Sequence, residues 1–490
     1  MEPFSAIRIT ISVIIIGLCQ PTFAKPPQYE GKIVLFGNLH SHSNLSGDIK
    51  SSRKELSPSN AFKYADKHGI DFLAVSDHHK GIDANNKFRM SSSEYEDQLY
   101  KVAMSYNKKR KGEFIAIPAI EWGTIEVGNH INVFGAKHLP PDSILDKDYN
   151  KLIEWATSHA DFAQYNHPYS WKNSAEGKKV GNFGRNLYKS TKDFSVAAEP
   201  IVKTMTIIAT VYGGHISGEN RHREDKTHRS MHKKAFSKYK KFLNDGFKLS
   251  PSANQDTHGE NWGTVTAART AVWADNFTYS GLMAGMKARR IYATEDDELA
   301  LAAQVEVEGK RYWMGEAVPL TSNEQDIKLI LNISQGIGSD EDTVNEGPYT
   351  ATIYRDSNGI GGSRASASLV RTGIESGKDF VIPLTVSNGE YFFIEVTEEN
   401  GKDNPIGDGE DEFNSAGEHL SDGKRDNLND SAWSSPFWFS VEGKTGSYAW
   451  SKNSKLYHEK FCWAIDRIGK NNLRKGNLAP EGHTKHDCQT

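Results

Sequence analysis

From residue 31 to about 300, apolar runs alternate with helical patterns, and most of the runs close on a histidine or a carboxylate. KIVLFGNLH (32–40), IDFLAVSDHH (70–79), EFIAIPAIEW (113–122), HINVFG (130–135), DFAQYNHP (161–168), KTMTIIATVY (203–212) and FKLSPSANQDTHG (247–259) read as strands or strand ends. They are short, rich in β-branched and aromatic residues, and bounded by polar clusters. Between them, 57–69, 91–109, 150–160 and 228–246 carry helix signals, as does 278–290 after the last strand. The first of these helices has Ser57 to cap it, Pro58 in its first turn and Gly69 at its end, the placement that helix termini favour.

Strand–helix alternation with polar residues gathered at the C-terminal strand ends predicts a parallel α/β barrel, whose strand-to-helix loops converge on one face. The texture changes at about 301. QVEVEGKRYWMG, DIKLILNIS, YTATIYRDSNG, VIPLTVSNGEYFFIEVTEENG and SAWSSPFWFSVEG are short alternating strands with Gly/Asn turns, which predicts an antiparallel β-sandwich over 301–442. An acidic, Gly-rich stretch, 401–430, reads as a solvated surface loop; its carboxylate spacing fits no recognised calcium loop. Residues 443–490 read as an irregular tail with one short helix near 454–468.

Length and charge bound the partners. A chain of 490 residues calls for two or three domains, and a net charge of −4 gives no indication of nucleic acid. Residues 1–24 stand apart: Arg8, the apolar run ITISVIIIGL (9–18) and TFA (22–24) have the form of a secretory leader cut after Ala24. The run is too short to span a bilayer, and no later stretch is long and apolar enough. The expected location is periplasmic or secreted. Leader removal leaves two cysteines, Cys462 and Cys488, which an oxidising compartment favours as a disulfide over two free thiols. Nothing in the sequence sets the oligomeric state.

The candidate chemistry lies at the strand ends: His40, His42, Asp48, Asp77, His78, Glu121, His130, His167, Asp256 and His258. In an extended segment, His40 and His42 of NLHSHS share a face, and two crowded imidazoles serve a metal better than they serve packing. Singly, residues such as His130 or His167 are ordinary loop histidines. As an ordered set, HxH, DH, a strand-end Glu, HP and DxH each follow an apolar run. Setting Asp77 aside, nine imidazole and carboxylate ligands exceed the capacity of one ion. A carboxylate such as Glu121 can bridge two cations, and a metal-activated hydroxide then supplies a nucleophile without Ser or Cys.

The order HxH…D, DH, E, H, HP, DxH resembles the polymerase and histidinol phosphatase (PHP) superfamily. Within it, LFGNLHSHSNLSGD, LSPSNAFKYADKHGIDFLAVSDHH, NQDTHG, RTAVWA…GLMAGMKARRIYAT and SAWSSPFW are most similar to carbaryl-hydrolase-like metallohydrolases. The resemblance spans about 30–440. It implies a distorted (β/α)7 TIM-like barrel over 30–300 and two or three divalent ions, Zn, Mn or Fe. By position, one ion would take His40, His42, Glu121 and Asp256; a second Glu121, His130 and His167; a third Asp48, His78 and His258. Asp48 departs from the histidine many members carry. Asp77 would orient a ligand from behind, and His79 would be a proton donor or a mere neighbour.

Further candidates surround this set. Trp122, Tyr169, Trp171 and Trp262 follow ligands closely, either as pocket walls or as loop packing. The stretch 172–234 is rich in Lys and Arg, either a lid for an anionic substrate or a solvated face; Arg185 and Arg269 are the first candidates for a phosphate contact. The expected function is a metal-dependent hydrolase of a small-molecule ester, with phosphate esters favoured and carboxylic esters or carbamates as the alternative. The reading from another class is a non-catalytic, metal-containing binding protein.

Overall fold

The structure is a computed structural model that describes residues 26–49, 52–80, 89–123, 130–144, 149–166, 205–212, 239–240, 243, 248–264, 268–296, 298–335, 348–356, 366–398, 412–413, 419–420, 431–441, 448–459, 468–469, 471–476 and 482–486. The leader, His167, Tyr169, Trp171, Arg185, Cys462 and Cys488 lie outside these residues, as do nearly all of the basic stretch, of the expected helix at 228–246 and of the acidic stretch. The described residues form a mixed α/β protein, mostly strand.

The N-terminal strands are β1 (Gln28–Tyr29), β2 (Lys32–Asn38), β3 (Phe72–His78), β4 (Ile115–Trp122), β5 (Ile131–Phe134), β6 (Phe162–Tyr165), β7 (Met205–Tyr212) and β8 (Ser250–Asn254). Helix α1 (Pro58–Lys67) starts at Ser57, whose side chain accepts from Asn60 N, and buries Ala61, Phe62 and Ala65. A π-helical stretch, Glu94–Tyr100, runs into α2 (Lys101–Lys109). Helix α3 (Tyr149–His159) precedes β6. These elements fall where the apolar periodicity puts them.

Strands β2, β3 and β4 pair in parallel, as do β6, β7 and β8, but β5 is antiparallel to both β4 and β6. The sheet is therefore not the strictly parallel one that strand–helix alternation predicts. The cause is the short link between Trp122 and Ile131, which cannot hold a crossover helix and forces a return in the opposite direction. After β8 the chain comes back to β2: Thr257 forms a parallel bridge with Ser41, Asp256 N donates to His40 O at 2.9 Å, and His42 N donates to Thr257 O at 2.8 Å.

Alternation with period two sorts the side chains of these strands. Phe72 and Ala74 of β3, Ile115, Ile117 and Ala119 of β4, Phe134 of β5 and Phe162 of β6 form one apolar cluster. Further along the same faces come Ser76, Asn132, Gln164 and Asn254, then His78, Glu121, His130 and Asn166, all buried. An apolar layer thus lies beneath an amide and hydroxyl layer, which lies beneath the candidate ligands. The opposite faces, with Leu73, Val75, Ile120, Val133, Ala163 and Ala253, pack with Phe62, Tyr95 and Leu99 in a second cluster.

Strands β9 (Arg269–Ala274) and β10 (Ile291–Thr294) flank helix α4 (Tyr279–Lys287) and extend the sheet from the other edge of β2. There follow β11 (Leu299–Val307), β12 (Lys310–Trp313), β13 (Ala317–Leu320), β14 (Glu324–Gln335), β15 (Tyr349–Asp356), β16 (Ser366–Ile374), β17 (Phe380–Ser387), β18 (Tyr391–Glu398), β19 (Glu412–Phe413), β20 (His419–Leu420), β21 (Ser431–Ser434) and β22 (Phe437–Val441). One four-stranded sheet has the order β12-β11-β14-β17, all antiparallel. The other strands, apart from the β19–β20 pair, join the large sheet, because β21 pairs with β10; within it β13 and β22 are parallel. Val34 and Phe36 of β2 and Ala271 and Trp273 of β9 share a core with Leu301, Ile353 and Phe392. In the tail, Leu456–Glu459 is a strand paired with Tyr448–Ser451, where the sequence predicts helix over 454–468. No helix among the described residues is long and apolar enough to cross a membrane.

Candidate metal centre

The ends of β2, β3, β4 and β8, the residue before β5 and the turn after His42 bring eight of the nine candidate ligands together. His40, His42, Glu121 and Asp256 make one group; His78, Glu121 and His130 a second; His42, Asp48, His78 and His258 a third. In each group the donor atoms lie within 4.8 Å of one another. The first group is the quartet drawn from the resemblance. The second holds His78 beside Glu121 and His130, with His167 outside the described residues, and the third adds His42 to Asp48, His78 and His258.

The spacing within the first group tests whether it fits a metal. His40 Nε2 lies 3.2 Å from Glu121 Oε1 and 3.1 Å from Asp256 Oδ1. His42 Nε2 lies 3.2 Å from Glu121 Oε2 and 2.9 Å from Asp256 Oδ1, and the two Nε2 atoms are 3.3 Å apart. Four donors each about 2.0–2.1 Å from one ion stand roughly 3.3 Å apart at tetrahedral corners. Two buried imidazole nitrogens aimed at one point repel unless a cation or proton sits between them.

Glu121 is the shared element. Its Oε1 is also 3.0 Å from His130 Nδ1, and its Oε2 is 3.3 Å from His78 Nδ1. His78 Nδ1 is buried and makes no hydrogen bond, so the residues present fit a second cation at this carboxylate. In the third group His258 Nε2 is 2.7 Å from Asp48 Oδ2, and His78 Nε2 is 3.7 Å from the same oxygen. The His42 and His258 rings stack with centroids 4.0 Å apart.

Charge follows this arrangement. Burial opposes ionisation of Glu121 and Asp256, yet the surrounding imidazoles hold both well below the usual carboxylate range. Asp48 is lowered in the same way, chiefly by His258. Burial disfavours charge on His42, but Asp256 and Glu121 outweigh it and raise that imidazole well above its ordinary value. His258 is raised, with Asp48 and Asp256 overcoming burial and the His42 charge. His78 is pushed down to about 3 by burial, with the His130 and His42 charges adding to it. Three carboxylates among crowded imidazoles are a donor set that fits a cation.

Neighbouring groups fix the ligands. Asp77, behind His78, accepts from Ser43 N at 2.5 Å and Ser43 Oγ at 2.6 Å, which holds the turn carrying His42. Trp262 Nε1 donates to His42 O at 2.8 Å. His258 Nδ1 donates to Asp256 O at 2.8 Å, leaving Nε2 for Asp48 and an ion. Ser46 Oγ accepts from His78 N at 3.1 Å and faces His42 Nδ1 at 2.9 Å. Asp256 itself sits at φ 51°, a left-handed conformation uncommon outside glycine and strained where it occurs.

Other candidates are placed elsewhere. His79 is buried just past the end of β3, beside His78, and burial pushes its imidazole down to about 3. Arg269 opens β9, donates to Ala268 O at 3.1 Å and acts electrostatically on Asp71, at the far end of β3 from His78. It does not join the ligand groups. Trp122 and Trp262 are buried in the core cluster around the strands rather than exposed as pocket walls. Sequence reasoning missed the amide layer, above all Asn166, whose Nδ2 donates to Glu121 Oε1 at 2.8 Å. The signal was present: Gln164 and Asn166 alternate with Ala163 and Tyr165, and Ser250, Ser252 and Asn254 alternate with apolar or small neighbours.

The family described as "Protein of unknown function (DUF3604)" matches residues 29–208. No curated protein sequence matches. Among solved structures, the chain is similar to a two-domain protein from Bacteroides vulgatus ATCC 8482 described as containing a predicted PHP-like metal-dependent phosphoesterase, with 13% identity and a TM-score of 0.39 over 77% of this chain and 95% of that one. It is also similar to PsfC from Pseudomonas syringae PB-5123, at 13% identity and a TM-score of 0.24 over 49% of this chain and 82% of that one. A third likeness is to the lesion-specific endonuclease PfuEndoQ from Pyrococcus furiosus, at 11% identity and a TM-score of 0.24 over 65% of this chain and 62% of that one.

Proposed function

We propose that the chain is an exported metal-dependent hydrolase that cleaves an ester bond, with phosphate esters favoured, on a centre of two or three divalent ions. The observation that carries this reading is Glu121, a buried carboxylate with one oxygen facing His40 and His130 and the other facing His42 and His78. A structural metal needs one closed set of four ligands, so a carboxylate shared between groups favours catalysis over a binding role. The parallel bridge between Ser41 and Thr257, which brings the chain after β8 back to the chain after β2, and the order of the motifs support a distorted barrel of the PHP kind. Divalent cations bound there would polarise a substrate oxygen and lower the pKa of a bound water toward about 7.

The chain's own residues have defined tasks in this reading. His40, His42, Glu121 and Asp256 hold one ion; Glu121, His130 and His78 face a second, with His167 available in sequence to complete it. Asp48, His258, His78 and His42 form the third position. Asp77 and Trp262 keep the His42 turn in place. The leader directs export.

The test is a panel of aryl phosphate, phosphodiester, acetate and carbamate esters offered to the full chain with added Mn²⁺ or Zn²⁺. Turnover of an aryl phosphate or a phosphodiester, lost on chelation and restored by metal, is the expected result. Turnover of acetate or carbamate alone would move the assignment to carboxylic or carbamic esters. A metal-loaded chain that cleaves none of the four would leave the non-catalytic reading in its place.

The charges predict a second result. Without metal, the carboxylates beside His42 and His258 raise both imidazoles, so each holds its proton to a higher pH than in the unfolded chain. A cation binds only neutral imidazole. Metal uptake should therefore release protons and weaken as pH falls through these raised imidazole values, which lie above the unperturbed value of about 6.5. Calorimetric titration of the apo chain with Zn²⁺ in buffers of different ionisation enthalpy measures that release. Uptake with no proton release would contradict the charge assignment.

A further inference from the structure

The buried polar layer beneath the ligands has a direction. Leu39, the residue before His40, contributes an N–H that can only donate and a carbonyl that can only accept. Leu39 N donates to Asn254 Oδ1 at 2.8 Å, which turns Asn254 Nδ2 towards Gln164 Oε1 at 3.2 Å. Ser252 Oγ donates to the same Gln164 oxygen at 3.0 Å. Gln164 Nε2 must then face Asn166 Oδ1, and it does so at 2.8 Å. On the other branch, Leu39 O accepts from Asn132 Nδ2 at 3.0 Å, leaving Asn132 Oδ1 to accept from Asn166 Nδ2 at 2.7 Å. Both branches end on Asn166, whose Nδ2 also donates to Glu121 Oε1 at 2.8 Å. All these side chains are fully buried.

The orientation of each amide, ordinarily a matter of choice between N and O, is here dictated by one backbone unit. A flip of Asn166 would set its oxygen against Asn132 Oδ1 and Glu121 Oε1 and its nitrogen against Gln164 Nε2. We propose that Asn166 is a positioning residue for Glu121. Through the chain Leu39–Asn254–Gln164–Asn166 it fixes the plane of the shared carboxylate, so that one oxygen faces His40 and His130 while the other faces His42 and His78. This inference rests on the reading of the site as a metal centre. It assigns Asn166 no contact with substrate; its effect passes through Glu121.

The experiment compares the wild-type chain with Asn166→Leu, which keeps the branching of the side chain and removes the amide, and Gln164→Met, which leaves Asn166 present but unanchored. Affinity for Zn²⁺ and the visible spectrum of the Co²⁺-loaded chain are the readouts, with Tm of the apo chain as the folding control. Residues behind a ligand typically change metal affinity 10–100-fold. Asn166→Leu should weaken Zn²⁺ binding by about that factor and alter the Co²⁺ spectrum. Gln164→Met should do the same to a lesser degree, and in the Asn166→Leu background it should have no further effect on affinity. Affinity and spectrum equal to wild type in a folded Asn166→Leu chain overturn the proposal. If that variant does not fold, Gln164→Met decides alone, and unchanged affinity and spectrum there overturn it equally. A wild-type chain that binds no Zn²⁺ or Co²⁺ refutes the metal-centre reading itself, a different outcome from a metal-binding wild type whose variants behave alike.

Discussion

Replacing Glu121 by glutamine should leave the protein folded but lower the metal content of its centre to at most one ion and abolish the proposed hydrolysis. The side chain keeps its shape, so the cost falls on charge and polarity. Glu121 Oε1 accepts from Asn166 and lies within 3.2 Å of His40 Nε2; Oε2 lies within 3.3 Å of His42 Nε2 and His78 Nδ1. An amide offers one oxygen. If that oxygen stays with Asn166, the new NH₂ group confronts the two imidazole nitrogens meant for a cation. If the amide turns, NH₂ meets the NH₂ of Asn166. Either way both neighbouring ions lose an anionic ligand. Several kcal/mol of metal-dependent stabilisation then disappear, which at 1.36 kcal/mol per tenfold corresponds to a fall of about 10³-fold or more in turnover. Elemental analysis, turnover of the best ester and apo-chain Tm make the test. Full metal content with wild-type turnover would remove Glu121 from the centre.

Gly37→Ala should be the most damaging single methyl in the sheet. Gly37 sits in β2, paired with Phe72 on one side and Thr270 on the other. A Cβ there would come within 2.2 Å of Phe72 O and 2.5 Å of the Phe72 ring. The obstacle is backbone as well as side chain, and strands on both sides leave β2 no direction in which to move. The displaced segment leads directly into His40 and His42. Overpacking of this kind costs about 3 kcal/mol, occasionally more, or a drop in Tm of roughly 6–12 °C for a large domain. Gly469→Ala, where nothing lies within 4 Å, is the control and should leave Tm unchanged. A Gly37→Ala chain as stable as that control would mean β2 and β3 are not packed as described.

The candidate centre was largely legible because of how strands present side chains. Each ligand group ends or opens an apolar run, so His40/His42, His78, Glu121, His130 and Asp256/His258 stand out against Val, Ile, Leu and Phe. The antiparallel β5 was legible in principle, since the link from Trp122 to Ile131 is too short for a helix; strand–helix alternation elsewhere masked it. The amide layer escaped because Asn, Gln and Ser near a strand end look like turn residues; only the alternation in FAQYN and SPSAN distinguishes them.

Arg269, expected as an anion contact, acts electrostatically on Asp71, a pairing that leaves no local mark because the two lie nearly 200 positions apart. The pairing of β10 with β21, which joins the sandwich strands to the ligand-bearing sheet, was likewise invisible. In the tail, a local helical pattern over 454–459 gives way to strand pairing, tertiary context overriding propensity.

The central claim is that these side chains converge on more than one cation, and metal stoichiometry of the full chain tests it most directly. The apo chain, reloaded with Zn²⁺ or Mn²⁺, freed of loose metal by gel filtration and analysed for its elements, should retain two or more divalent ions per chain, and Glu121→Gln should retain at most one. A wild-type chain that retains none, or that retains one ion unaffected by Glu121→Gln, would contradict the account.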